Sequence, residues 1–169
     1  MDEVSVEYKV NKEEFISYYF WDKYIRKHSS TLILVVADIV FLGMGTMAII
    51  NNDLGMIAYS LLCIIIFSLF PLFYKKRLGK VYDGDEFYGD KIAVKISDKG
   101  IEVKKGDIDG LYEFSEMYKI IETKQFIYIG YSKARSSYII KSKYTEEQLT
   151  TLREILKRNV DLDKLKLIE

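Results

Sequence analysis

Four basic residues in the C-terminal part of the chain could bind anions. Lys133 and Arg135 lie in the stretch "KARS", and Lys141 and Lys143 follow the run "SYII". Because these bases fall at the ends of adjacent predicted strands, a tight turn would bring them to one end of a sheet. Such a cluster could hold a lipid headgroup or an anionic partner. Solvated surface charge is the plainer interpretation and is preferred, so the binding role is kept as a hypothesis.

A single carboxylate, Asp38, stands inside a long apolar run. An acid inside a membrane span costs on the order of 3 kcal/mol unless it is protonated, hydrated or paired. A second, antiparallel helix would place Ser68 at about the same depth, which predicts an intramembrane polar pair. A proton or ion relay is the functional alternative. We prefer a protonated or hydrated carboxyl bonded to Ser68 or to another copy of the protein, because the apolar segment offers no second ionisable partner.

Motifs that carry enzymatic chemistry are scarce. The chain has one histidine and one cysteine, and it lacks the GxxxxGK[ST], HExxH and CxxC motifs. The acidic stretch "DGDEFYGD", residues 83–90, does not have the alternating ligands and distal glutamate of a calcium loop. We therefore expect a non-enzymatic protein with no catalytic residue, no bound metal and no cofactor.

The charge distribution argues against nucleic-acid binding. Residues 1–30 carry five basic and six acidic groups, residues 31–74 carry two acidic groups, and residues 75–169 carry twenty basic and seventeen acidic groups. None of these segments is basic enough for binding driven by phosphate charge. We expect no nucleic-acid partner.

Two apolar segments separated by a short polar stretch predict a membrane hairpin. Residues 31–50 and 54–74 each contain about twenty residues, which as a helix would span ~30 Å, the thickness of a hydrocarbon core. Neither segment has the polar face that a helix in a soluble core would show. The stretch "NNDLG" between them consists mainly of turn-forming residues. We therefore expect a two-pass hairpin.

Basic residues flank both apolar segments and are absent from the turn between them. Positive charge close to membrane spans is retained in the cytoplasm, so both termini should be cytoplasmic. The bases are Lys23, Arg26 and Lys27 before the first span and Lys75, Lys76, Arg77 and Lys80 after the second.

The remaining segments alternate in the manner of strands or show the periodicity of helices. Residues 1–30 should form a strand and a juxtamembrane amphipathic helix, and residues 75–90 a linker. Residues 91–160 should form a small antiparallel sheet or half-barrel of about six strands, capped by one C-terminal helix and joined by the N-terminal strand. Two predicted helix starts have the spacing of a capping box: Asn11 with Glu14, and Thr145 with Gln148. Residues 161–169 are expected to be a tail. The predicted fold class is α+β with a transmembrane α-hairpin.

The order of these elements and the stretch "DKGIEV…LYEFSEMYKIIETKQFIYIGY…SYIIKSKYTEEQLTTLREIL" resemble the YcxB-like proteins of bacteria. The resemblance extends over nearly the whole chain, but the motifs that carry it are structural. It implies a pleckstrin-homology-like C-terminal domain at a bacterial plasma membrane. It implies no particular activity.

Three hypotheses from different functional classes follow. The first is a membrane-tethered interaction or regulatory module, because a tether makes weak contacts effective. The second is a sensor of anionic lipid headgroups, and the third is an enzyme. We prefer the first, and an accessory or self-resistance subunit of a membrane complex is a variant of it. A protein partner is expected, and a homo-oligomer is possible in this scheme.

Overall fold

The computed structural model describes residues 2–132 and 135–168, with the side chains of residues 86, 87 and 108 left out. The chain divides into two compact units. The sheet unit comprises the described residues up to Glu14 and from Asp85 onward, and the helical unit comprises Phe15–Gly84. The expected α+β class is confirmed.

The helical unit is dominated by two long helices. They are α2 (Ser29–Ile50) and α3 (Leu54–Asp83), and they follow α1 (Lys12–Trp21) and a π-helical turn (Asp22–Arg26). Helix α1 begins with a reciprocal cap, as its sequence predicts: the Asn11 amide donates to Glu14 Oε2 at 2.8 Å, and the Glu14 amide donates to Asn11 Oδ1 at 2.9 Å.

A tight turn joins α2 and α3 into a hairpin. Asn52 adopts a left-handed backbone with φ 53°, and Asp53 Oδ1 accepts a hydrogen bond from the Met56 amide at 3.0 Å, which caps α3. The two helices pack closely near this end, where a methyl group added at Gly45 would lie 3.4 Å from Ser60 Cβ. Small residues at such a crossing allow the two backbones to approach each other.

The outer surface of this hairpin is apolar and exposed. Both helices are long and apolar enough to cross a membrane, and only 6% of the most apolar window of each is buried. Exposed side chains occur around both helices and include Leu32 at 63%, Ile33 at 64%, Ile49 at 63%, Leu61 at 57% and Leu72 at 60%.

Helix α3 is longer than the expected second span. The sequence predicts a span ending at residue 74 and a linker over 75–90, but the helix continues past Pro71 and through the basic flank to Asp83. The basic flank consists mainly of good helix formers, which extend the helix until Gly84 ends it. The connection is therefore reduced to residues 84–90, which contain a 3₁₀ turn at Glu86–Gly89.

The first sheet combines one strand that precedes the helical hairpin in the chain with three strands that follow it. Strands β1 (Glu3–Lys9), β2 (Lys91–Ser97), β3 (Gly100–Lys105) and β4 (Ile108–Tyr112) follow one another in that order, all antiparallel. The expectation that the N-terminal strand joins the C-terminal domain is correct, because Val4 pairs with Ile96 and Tyr8 with Ile92. Val4 and Tyr8 are buried, while the alternating Glu3, Ser5 and Glu7 are exposed.

The second sheet has the order β7-β6-β5-β8. Its strands are β5 (Lys119–Glu122), β6 (Phe126–Gly130), β7 (Ser136–Ile140) and β8 (Leu165–Lys166). Strand β6 is buried along its whole length, so this sheet forms much of the core. A short turn connects β3 and β4, with Gly106 in a left-handed backbone of φ 56° and β4 beginning at Ile108.

Helix α4 (Glu146–Asn159) packs on β1 and β2 and buries Leu149, Leu152, Ile155 and Leu156, as its periodicity predicts. Its expected capping box is present, with Thr145 Oγ1 accepting from the Gln148 amide and Gln148 Oε1 accepting from the Thr145 amide. The described part of residues 161–169 does not form the expected tail. Its strand β8 pairs in parallel with β5, and the Ile120 amide donates to the Lys164 carbonyl at 2.8 Å.

Candidate membrane-interface site

Three aromatic rings from different segments of the helical unit form a continuous ladder. The ring centroids of Phe20 and Tyr24 are 4.8 Å apart, and those of Tyr24 and Tyr74 are 5.6 Å apart. Phe20 is in α1, Tyr24 in the π-helical turn, and Tyr74 in α3 where the apolar span ends. Tyrosine is enriched at the headgroup level of membranes, so this ring ladder is a candidate interface element.

Two lysines rest on the ring ladder. Lys23 Nζ is 4.1 Å from the Tyr74 ring centroid and 5.9 Å from that of Tyr24. Lys75 Nζ is 4.5 Å from the Phe20 ring centroid. A cation over an aromatic face is attracted by about 0.5–1 kcal/mol at exposed sites, and it keeps N–H donors free to point away from the ring.

Asp22, the first residue of the π-helical turn, engages the two bases that follow Lys23. The Lys27 amide donates to the Asp22 carbonyl at 3.2 Å, the wide hydrogen bond that defines such a turn. The Asp22 carboxylate pairs with Arg26 at 2.5 Å and with Lys27 at 3.2 Å. Arg26 and Lys27 therefore share a negative partner, whereas Lys23 points to the rings.

Backbone geometry fixes the entry into α2. His28 has a left-handed backbone with φ 51°, and the Thr31 hydroxyl donates to the Tyr24 carbonyl. Burial raises the pKa of Tyr24, so its hydroxyl stays neutral near pH 7. The ring ladder is thus a neutral platform held by the surrounding turn.

Of the four bases predicted from the sequence to share one corner, the three that the structure describes do not lie together. Lys133 lies outside the described residues. Arg135 is exposed and precedes β7, while Lys141 and Lys143 follow it. Six residues of extended chain separate Arg135 from Lys141, about 20 Å. Arg135 does not meet Lys141 and Lys143 as expected, because β7 runs between them and places them beyond its opposite ends.

Lys141 is held by a buried carboxylate. Its Nζ lies 2.5 Å from Glu122 Oε1, and Arg153 Nη2 approaches the same oxygen at 2.7 Å. The Glu122 side chain is 0% exposed, and its Oε2 also accepts from the Ile168 amide at 3.3 Å. Burial acts to raise the pKa of Glu122, but the hydrogen bonds from Arg153 and Lys141 prevail and leave it below its ordinary value.

Lys143 is likewise engaged within the sheet unit. Its Nζ lies 3.0 Å from Glu14 Oε1, which also accepts from the Ser142 hydroxyl at 3.3 Å. Two of the four candidate headgroup ligands are therefore neutralised by carboxylates of the same unit. Headgroup or partner binding by these four residues stays a prediction.

The predicted pair of Asp38 and Ser68 is not formed through the buried oxygen of Asp38. Asp38 Oδ1 has no hydrogen-bond partner within the described part of the chain, and Ser68 is exposed. The ring contact between Phe41 and Phe67, 5.6 Å between centroids, shows that Phe67 faces α2. Adjacent helical residues point about 100° apart, so Ser68 is turned away.

Sequence reasoning missed the pairing of Lys23 with Tyr74 and of Lys75 with Phe20. The aromatic residues before the first span were a signal of interfacial position, but their partners on α3 depend on tertiary packing.

No group of three or more histidine, cysteine, aspartate or glutamate side chains suited to a metal ion occurs among the residues that the structure describes.

Comparison with known proteins gives one match. Residues 96–156 match the family model described as YcxB-like protein, which covers β3 to β7, most of α4 and the end of β2. No curated protein matches the chain, and no solved structure matches it.

Proposed function

We propose that the chain is a two-pass membrane protein that presents its sheet unit at the cytoplasmic face of a bacterial plasma membrane. In this proposal the sheet unit is a non-enzymatic module that binds another protein. The observation that carries it is the exposed apolar surface of α2 and α3. At roughly 25 cal/mol per Å², exposing surface of this extent to water is strongly unfavourable, and a bilayer removes that cost.

The pairing of β1 with β2 supports the two-pass arrangement. Strand β1 precedes the hairpin in the chain and β2 follows it, yet Glu3–Lys9 and Lys91–Ser97 are neighbours in one sheet. Both ends of the hairpin must therefore return to the same compartment. An even number of crossings satisfies this condition, and the two helices supply two.

The distribution of charge supports the orientation. Lys23, Arg26 and Lys27 precede α2, while Lys75 to Lys80 include four bases in α3 beyond its apolar part. The turn at Asn51–Asp53 contains no base. Under the positive-inside rule this asymmetry keeps both flanks, and the sheet unit with them, in the cytoplasm.

The tether supports an interaction role over a catalytic one. A domain held at the bilayer has a high effective concentration toward other membrane-bound proteins, so modest contacts are sufficient. The sheet unit presents large apolar side chains to solvent, including Leu111 and Tyr118, each 49% exposed. Exposed aromatic and aliphatic residues of this kind commonly anchor protein interfaces.

Site-specific photocrosslinking in living bacteria tests the interaction role. A photoreactive residue replacing Leu111 or Tyr118 in the full-length chain should give a discrete crosslinked product, identified by mass spectrometry. The same residue replacing the exposed Lys157 of α4 is the matched control and should give none. A second copy of the chain as product would indicate a homo-oligomer. Absence of any protein product at both test positions would overturn the interaction role.

A further inference from the structure

Lys23 and Lys75 differ from the neighbouring bases Arg26 and Lys27 in what faces them. Within the part of the chain that the structure describes, neither forms an ion pair, and both rest on aromatic rings. Arg26 and Lys27 by contrast share Asp22. Neither ammonium group therefore has a carboxylate within ion-pair distance among the residues that the structure describes.

The position of the two lysines matches the level of lipid headgroups. Tyr74 closes the apolar part of α3, and Lys75 is the next residue. Lys23 contacts that same Tyr74 ring from the π-helical turn. The two ammonium groups thus lie on one ring ladder, Phe20, Tyr24 and Tyr74, where a hydrocarbon core would give way to phosphate.

We infer that Lys23 and Lys75 bind the phosphate of an anionic phospholipid of the inner leaflet. This inference rests on the proposed function, since it requires the hairpin to lie in a bilayer. The ring faces favour these positions of the ammonium groups, so less side-chain freedom is lost when a phosphate binds. The N–H donors that do not face the rings supply charge-assisted hydrogen bonds.

The local charge favours an anionic lipid over a zwitterionic one. Residues 15–30 and 75–84 together hold seven basic and two acidic residues. A choline or ethanolamine group would bring a second cation toward these bases, whereas a glycerol headgroup would not. Lys76 and Lys80 are exposed on α3, the helix that carries Lys75, and they add only diffuse attraction toward anionic lipid. They are therefore suitable controls.

The test measures lipid retained by the full-length chain. The protein is placed in nanodiscs containing equal parts of phosphatidylglycerol and phosphatidylcholine, and co-purifying lipid is counted by native mass spectrometry. We expect the wild-type chain to retain phosphatidylglycerol preferentially. The double variant Lys23→Gln, Lys75→Gln should lose at least about tenfold of that preference, since it removes the charge-assisted hydrogen bonds to the phosphate as well as the two charges.

Matched variants separate a defined site from general electrostatics. Lys76→Gln with Lys80→Gln removes the same charge and should change the preference less than twofold. Tyr74→Leu keeps the position apolar but removes the ring under Lys23, and it should weaken the preference several-fold. Equal losses in the two double variants would overturn the inference.

The same experiment distinguishes failure of the inference from failure of the proposed function. A chain that does not enter nanodiscs contradicts the membrane hairpin. A chain that enters them but retains the two lipids equally leaves the hairpin intact and overturns only the lipid site.

Discussion

A Glu122→Gln chain should lose about 2–4 kcal/mol from the free energy of unfolding of its sheet unit. The substitution keeps the side-chain size but removes the negative charge that lies 2.5 Å from Lys141 and 2.7 Å from Arg153. The two cations then face each other beside an enclosed amide, and breaking a buried pair in this way is strongly destabilising. We place the loss below the fully buried limit because the Arg153 side chain is 27% exposed.

Glu7→Gln is the matched control for Glu122→Gln. Glu7 pairs with Lys91 at 2.8 Å, but the two side chains are 54% and 68% exposed. Exposed pairs contribute little, so this variant should change the free energy of unfolding by less than about 1 kcal/mol. Urea-dependent pulse proteolysis of the full-length chain in detergent measures both. Equal losses in the free energy of unfolding would show that the buried Glu122 cluster stabilises the sheet unit no more than the exposed pair of Glu7 and Lys91 does.

The same cluster predicts a loss of stability in acid. The pKa of Glu122 lies below its ordinary value of 4.5, so its contribution is complete above about pH 4.5 and is lost as pH falls through the folded-state pKa. The wild-type chain should therefore destabilise below pH 4.5 more steeply than Glu122→Gln. Parallel curves for the two chains would contradict this assignment.

Deleting residues 2–10 should open the sheet unit to proteolysis. The deletion removes the buried side chains of Val4 and Tyr8 and uncovers Val94 and Ile96, which are 3% and 0% exposed. Loss of two large buried side chains together with a whole strand should cost on the order of 4 kcal/mol or more. In limited proteolysis, the rate of cleavage at sites C-terminal to Lys80 should increase at least tenfold.

Changing Glu3 and Glu7 to Gln gives the control for that deletion. These residues are on the exposed face of β1, so the strand and its buried side chains remain. The control should be digested at the wild-type rate. A deletion variant that is also digested at the wild-type rate would show that β1 is dispensable for the sheet unit.

Local patterns predicted much of this fold. Apolar length predicted the two long helices α2 and α3, alternation predicted β1 and β2, and side-chain spacing predicted the caps at Asn11 and Thr145, because each of these depends on neighbouring residues. Strand β8 was missed because a two-residue strand has no periodicity of its own and exists through its pairing with β5. The length of α3 was missed because its basic flank resembles a solvated linker in sequence.

The site was harder to predict than the fold, because its contacts join residues distant in sequence. Arg135 and Lys141 do not meet at the expected basic corner, because β7 lies between them. The sequence around Glu122 does not indicate that its carboxylate would pair with Lys141. The ring ladder combines residues about fifty positions apart. Composition indicated aromatic and basic residues at the interface, but only packing shows which cation lies on which ring.

Cysteine accessibility in intact bacteria is the most direct test of the two-pass arrangement. In a Cys63→Ser background, Asn52→Cys lies in the turn between α2 and α3, and Lys157→Cys lies on the exposed side of α4. We predict that a membrane-impermeant thiol reagent labels Asn52→Cys in intact cells and labels Lys157→Cys only after lysis. Labelling of Lys157→Cys in intact cells, with Asn52→Cys protected until lysis, would reverse the orientation, and protection of both positions until lysis would contradict the membrane-crossing hairpin.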